Sequence, residues 1–235
     1  MRKHLLACLG VVAALAVVIP ASAQAPGDAA ALSAKAIELY NASRFAEAVP
    51  LAQQALSLRE KELGPDHPDV AKSLFDLASI YWAHNRIEEV EPLFRRALAI
   101  REKAFGPDHP AVAQMLNSMA GFYRDQGRHE QVEPLFKRVL AMTEKALGPD
   151  HPAVATAINN LAVLYQELGR HAEAEPLHKR SLAIREKALG PEHPHLLATI
   201  DSLVELYRSL GRNDTAEALS KWAQAIRDKR AAAGR

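Results

Sequence analysis

The chain has 235 residues, a formal net charge of +1 and a single cysteine. Its balanced charge carries neither the basic stripe expected of a nucleic-acid binder nor a polybasic patch for anionic lipid. One cysteine excludes a fold held by internal disulfides, so stability must come from packing.

Residues 1–23 form the first object. Arg2 and Lys3 give a positive start, residues 5–19 are an apolar run broken only by Gly10, and Pro20 precedes Ala21-Ser22-Ala23. This is the layout of a secretory signal peptide cleaved before Gln24. The run falls short of the roughly 20 residues that span a bilayer; without cleavage it would tether the chain to an inner membrane, facing outward. Cys8 lies too early, and inside the apolar run, for a lipoprotein. The short Ala-rich form is of bacterial type and predicts a periplasmic or secreted protein. Its removal leaves 212 residues without cysteine, and with Arg2 and Lys3 gone, 27 Lys+Arg face 28 Asp+Glu. Residues 24–29 read as a short linker.

From there one phrase recurs: LGPDHPDVA from Leu63, FGPDHPAVA from Phe105, LGPDHPAVA from Leu147 and LGPEHPHLL from Leu189, each 42 residues after the last. A fixed period of this size marks stacked copies of one supersecondary unit. On that step Leu74, Leu77, Ala78 and Tyr81 align with Leu116, Met119, Ala120 and Tyr123, with Ile158, Leu161, Ala162 and Tyr165, and with Ile200, Leu203, Val204 and Tyr207. The i, i+3, i+4, i+7 spacing is one apolar helix face and predicts a first helix over about 68–84, 110–126, 152–168 and 194–210. Gly127-Arg128, Gly169-Arg170 and Gly211-Arg212 follow, with Asn85-Arg86 and Ser43-Arg44 as variants. Gly or Asn there suits a left-handed residue past a helix end.

A second helix is predicted over about 88–104, 130–146 and 172–188, with Val90, Leu93, Phe94, Ala97 and Leu98 on its apolar face. Pro92, Pro134 and Pro176, like Pro50, are expected in its first turn, where amides have no intrahelical acceptor. Gly64, Gly106, Gly148 and Gly190 end the second helices; Pro68, Pro110, Pro152 and Pro194 open the next first helices. Short connections make the neighbours antiparallel. The copies run about 30–63, 68–105, 110–147, 152–189 and 194–230, ahead of a basic tail at 231–235. The outer two are divergent: Lys35 stands where other copies have Leu77 or Leu161, and the last helix, about 214–230, lacks the proline and ends in basic residues. Polar end copies close a solenoid. The expectation is five helix pairs and an all-α fold.

Leu161-Ala162-x-x-Tyr165 followed by Ala174, and Leu77-Ala78-x-x-Tyr81 followed by Val90, Phe94 and Ala97, resemble the tetratricopeptide repeat. The 42-residue period, the LGPDHP phrase, INNLA at 158–162 and, in part, MLNSMA at 115–120 resemble its kinesin-light-chain variety. The other array of similar period is HEAT or armadillo, against which the Leu-Ala-x-x-Tyr signature argues. The resemblance covers about 30–230 and implies a right-handed α-solenoid whose first helices line a concave groove for a protein segment. It implies a non-catalytic scaffold or adaptor with a protein or peptide partner; self-association of an envelope component is the alternative. Carried onto this sequence, the groove positions are Lys72, Phe75, Ser79 and Trp82; Gln114, Asn117, Gly121 and Arg124; Thr156, Asn159, Val163 and Gln166; and Asp201, Glu205 and Arg208.

Asn117 and Asn159 lie one repeat apart, and an Asn amide both donates and accepts, so a ladder of them suits an extended peptide backbone. Gly121, in a helix interior, either leaves room for a bound chain or lets a neighbouring helix approach. Trp82 is either an exposed anchor or core. Trp222 is expected to pack into the end cap.

His67, His109, His151 and His193 recur one per repeat. That places them on successive layers, unable to converge on one metal, so they read as loop and cap. Asp66, Asp108, Asp150 and Glu192 recur likewise and are expected to stabilise turns and helix N-termini. The sequence has no phosphate loop, no Gly-x-Ser-x-Gly and, after cleavage, no cysteine nucleophile. No enzyme activity, metal or cofactor is expected.

Overall fold

The computed structural model describes residues 27–233. The signal-peptide reading, residues 24–26 of the expected linker and the last two residues of the tail lie outside them, while residues 27–29 of that linker already belong to the first helix. Ten α-helices alternate in five antiparallel pairs: α1 (Gly27–Asn41) and α2 (Phe45–Leu63), α3 (Pro68–Ala83) and α4 (Ile87–Phe105), α5 (Pro110–Asp125) and α6 (His129–Leu147), α7 (Pro152–Glu167) and α8 (His171–Leu189), α9 (Leu197–Ser209) and α10 (Asn213–Ala233). The last copy departs from the expected boundary: Pro194–Leu196 is a 3-10 turn, and α9 begins after it.

The first helices α3, α5 and α7 are opened by histidine, and His193 opens the 3-10 turn before α9 in the same way. His67, His109 and His151 are extended N-cap residues whose Nδ1 accepts from the amide two residues on, at 3.1 Å in each case. The following proline occupies the first helical position, where its missing N–H costs nothing. The repeated acids do different work from that expected. Asp66, Asp108 and Asp150 accept from Lys103, Lys145 and Lys187 at 2.5, 2.5 and 2.6 Å, and Glu192 pairs with Lys229. They tie each linker to the next second helix, because the cap position is already taken by the imidazole.

The prolines of the second helices also need a correction. With α4, α6 and α8 starting at Ile87, His129 and His171, Pro92, Pro134 and Pro176 are sixth in the helix, beyond the first turn. Each therefore removes one backbone bond. All three are exposed, so water can take the carbonyl left over.

The first helices end in a Schellman motif. The N–H of Arg86, Arg128, Arg170 and Arg212 donates to the carbonyl of Tyr81, Tyr123, Tyr165 and Tyr207 at 2.8–2.9 Å. The residue between is left-handed: Gly127, Gly169 and Gly211 at φ of 66–71°, and Ser43 and Asn85 at 59°. The motif brings each arginine over the tyrosine it bonds, with the guanidinium 4.2, 4.6, 4.1 and 4.4 Å from the ring centre in chain order. The tyrosine hydroxyls of the last three donate to Glu91, Glu133 and Glu175 of the preceding second helix at 3.1, 3.0 and 3.0 Å. Arg128 and Arg170 donate to the same Glu91 and Glu133 at 2.6 Å, and Arg212 to Glu175 at 3.0 Å. These groups hold Glu133 and Glu175 down to about 2, first through Arg170 and Lys179 respectively.

The core is continuous along the stack. Val90, Phe94, Ala97 and Ile100 of α4 pack beneath Leu74, Leu77 and Ala78 of α3, and Val132 and Phe136 repeat the layer. Burying a side chain of this size stabilises by about 1.5–3 kcal/mol. At the N-terminal end Lys35, in the register of Leu77, is exposed and pairs with Glu38 at 2.8 Å. At the other end Trp222 is part-buried and donates to Pro191 O at 2.8 Å. In the copies before it Arg96, Arg138 and Arg180 donate to Pro65, Pro107 and Pro149 O.

Candidate functional site

Among the described residues α1 packs on α3 and α7 on α9, whereas no two second helices share comparable contact. At both ends of the stack the first helices thus stand closer together than the second helices, which puts the first helices on the inside of the curve there. The fifteen positions read from the sequence all fall on these helices, but the structure does not make them equivalent.

Trp82 and Gly121 form one unit. A Cβ on Gly121 would sit 3.4 Å from Trp82 Cη2, and the indole stands edge-on to Phe122 at 5.8 Å. The space over Gly121 thus belongs to the neighbouring tryptophan and not to a bound chain. Trp82 remains half-exposed beside Tyr40, Ser79 and Ala83. Phe75 packs on Phe94 at 5.8 Å. Ser79 Oγ donates to Phe75 O at 2.9 Å.

The two asparagines do not form a matched ladder. His178 replaces the Phe94 and Phe136 of the preceding layers and is fully buried. Its Nδ1 lies 3.2 Å from Asn159 Oδ1 and its Nε2 3.2 Å from Gln166 Oε1. Asn159 and Gln166 are therefore anchored to the core. A neutral imidazole has one N–H, so one amide accepts from it and the other presents its NH2. Burial pushes the ring pKa down to about 4. Asn117 has no histidine beneath it, and its Oδ1 is buried without a hydrogen-bond partner. It borders a cavity of about 390 Å³ between α5, the end of α6 and the start of α7.

Thr156 accepts from Arg185 at 3.2 Å, Asp201 holds Arg227 through both oxygens at 2.7 Å, and Arg208 reaches Ser220 at 3.5 Å. Val163 is half-buried. Lys72, Gln114, Arg124 and Glu205 are exposed. Across the middle copies the ion pairs run along second helices and linkers, as in Arg96–Glu60, Arg138–Glu102 and Arg180–Glu144 at 2.5–2.7 Å. Lys72 and Arg124 take part in none of the ion pairs found among the described residues.

Two site features escaped the sequence reading although the 42-residue register holds both: His178 in a phenylalanine column, and Thr143 in a column otherwise of Arg59, Arg101, Arg185 and Arg227. A residue that breaks its column was the available signal. No group of three or more potential metal ligands gathers among the described residues, nor is any described helix long and apolar enough to cross a membrane.

Comparisons with known proteins agree with this fold. No curated protein matches the chain. Among solved structures, a putative kinesin light chain with nearly identical TPR-like repeats from Podosopora anserina is 28% identical, with a TM-score of 0.77 over 88% of this chain and 98% of that one. BtubC (BKLC) from P. vanneervenii is 27% identical, with a TM-score of 0.73 over 84% of this chain and 79% of that one. A Rap protein complexed with Competence and Sporulation Factor, 20% identical over 88% of this chain and 56% of that one, shares the fold at a TM-score of 0.62. The family profile described as tetratricopeptide repeat matches residues 27–103, 111–187 and 154–229, and the chain belongs to the tetratricopeptide repeat family, whose scaffold fold generally mediates protein–protein interaction.

Proposed function

We propose that this protein is an exported, non-catalytic scaffold that holds a segment of another protein along the inner face of its first helices. The observation that carries the reading is the contrast between its two faces. The outer face and linkers satisfy much of their charge internally. The inner face presents Lys72, Gln114 and Arg124 without side-chain partners, beside a half-exposed Trp82. Polar groups of both kinds around a part-buried aromatic suit a peptide, whose backbone supplies donors and acceptors and whose side chains supply apolar contact. Export rests on the layout of residues 1–23.

The test is capture from an extract of the extracytoplasmic compartment on the immobilised chain starting at Gln24. Lys72→Glu together with Arg124→Glu should lose the captured protein while helicity and melting stay unchanged; Arg95→Glu on the outer face should retain it. Equal capture by all three forms would refute an inner-face site.

A further inference from the structure

We propose that the cavity beside Asn117 is a receptor for one arginine side chain of the bound segment. The inference rests on the inner-face reading above and adds the chemistry of one partner residue.

The argument comes from what fills the same place in the other copies. The register of residue 143 holds arginine in every copy but the third. Arg101 Nη1 donates to Ala111 O at 2.9 Å, and Arg185 Nη1 donates to His195 O at 2.7 Å. Each acceptor is the residue after the proline that starts the next copy. In two copies the guanidinium also meets the side chain 26 positions earlier, whereas Arg185 donates to Thr156 Oγ1 at 3.2 Å and Arg59 to Ser73 Oγ. Arg101 lies 5.6 Å from the centre of the Phe75 ring, and Arg227 binds Asp201 through both carboxylate oxygens at 2.7 Å. The fold thus builds a guanidinium slot between successive first helices and ordinarily fills it from its own second helix.

In the third copy the arginine is Thr143, whose hydroxyl turns back to Val139 O at 2.7 Å. The slot is open. It measures about 390 Å³, against about 190 Å³ for the corresponding space lined by Arg185 one copy later. Ala113, Met142, Ala146 and Ala153 supply apolar wall for a methylene stem. Two acceptors border the place of the missing guanidinium: Ala153 O, the counterpart of Ala111 O and His195 O, and Asn117, the counterpart of Asp201, whose buried and unpartnered Oδ1 reaches the cavity when its amide turns. Asp108 lines the same cavity and carries negative charge, already shared with Lys145. A planar fork of N–H donors on an apolar stem fits an arrangement of acceptors at the end of an apolar slot; an ammonium, a point donor, fits it less well.

The experiment is an NMR titration of the 15N-labelled protein with N-acetyl-arginine amide, and with the citrulline and lysine counterparts as controls. Saturable shifts are expected at the Asn117 side-chain amide and the Thr143 and Ala153 amides, with arginine binding about tenfold tighter than citrulline. Thr143→Arg, which restores the column, should abolish those shifts. Asn117→Asp, which copies Asp201, should tighten binding about fivefold and carries the test should Thr143→Arg not fold. No saturable shift at these residues, equal binding of citrulline, or full binding by Thr143→Arg would each overturn the proposal. The two readings separate cleanly. Partner capture that survives Thr143→Arg but not the Lys72/Arg124 double variant removes the arginine pocket and leaves the groove. Arginine binding without inner-face capture removes the groove and leaves a guanidinium site.

Discussion

His178 should make the fourth copy sensitive to acid. The ring is fully buried in a column that is phenylalanine in the two preceding copies, and burial lowers its pKa from 6.5 to about 4. A histidine with a depressed folded pKa binds fewer protons folded than unfolded between these values, so stability falls as pH drops from 6.5 to about 4 and is level above 6.5. At 1.36 kcal/mol per pH unit the gap corresponds to about 3 kcal/mol. This is an upper bound, because the imidazolium would donate to both Asn159 Oδ1 and Gln166 Oε1, which offsets part of its desolvation. His178→Phe removes the titrating group and restores the column. Urea unfolding followed by far-UV circular dichroism at pH 7.5, 5.5 and 4.5 should give a wild-type midpoint that falls relative to the variant as pH decreases. The subtraction cancels the other histidines and carboxylates shared by both proteins. Parallel pH profiles, or a His178 ring signal titrating near 6.5 by NMR, would refute the reasoning.

The linker glycines should be less replaceable than the helix-end glycines. Gly106 has φ 88° and ψ 159°, a region essentially closed to residues with a Cβ, so Gly106→Ala should cost about 1–3 kcal/mol although nothing lies within 4 Å of the added atom. Gly127→Asn, which copies Asn85 at a φ of 59°, should cost well under about 1 kcal/mol, with thermal unfolding as the readout for both. Glu133→Gln should destabilise by about 1 kcal/mol, since water still reaches the cluster. Wild-type protein should lose this contribution as pH falls from 4.5 toward 2, because Glu133, held at about 2 by Arg170, Lys137 and Tyr165, is protonated in the unfolded chain first. Acid unfolding curves that run parallel for the two proteins over that range would contradict this. Phe94→Ala, which empties a fully buried site shared with Phe75 and Phe122, should cost about 3–5 kcal/mol in a denaturant titration.

The helical repeat was legible because its causes are local. Apolar residues at i, i+3, i+4, i+7, a proline at the first helical position and a glycine past the last turn each act within one helix, and the sequence repeats them at 42 residues. The boundaries of the inner helices accordingly fell within a residue or two of those predicted; the exceptions are the 3-10 turn at Pro194–Leu196, the start of α1 at Gly27 and the end of α10 at Ala233, each three residues from expectation. Interactions between copies were not read in advance. That Asp66 reaches Lys103, and that Tyr123 and Arg128 converge on Glu91, depends on which side chains meet across the stack, whereas the histidine cap is local and was legible as cap.

The candidate site divides the same way. The period placed equivalent residues on one side of their helices, while the groove positions themselves came from the family resemblance. Whether a residue at such a position is available is decided by its neighbours from other helices. Asn117 and Asn159 occupy one register, yet Asn159 is held by His178 and Asn117 is left unpaired. Gly121 looks open along its own helix, but Trp82 from the copy before fills the space above it. The amino-acid order by itself determined a stack of antiparallel helix pairs and the apolar face of each helix, because periodicity is a property of one chain segment. Only the tertiary structure decided which residues at the groove positions are spent on packing and which stay exposed, because that depends on contacts between side chains of different helices.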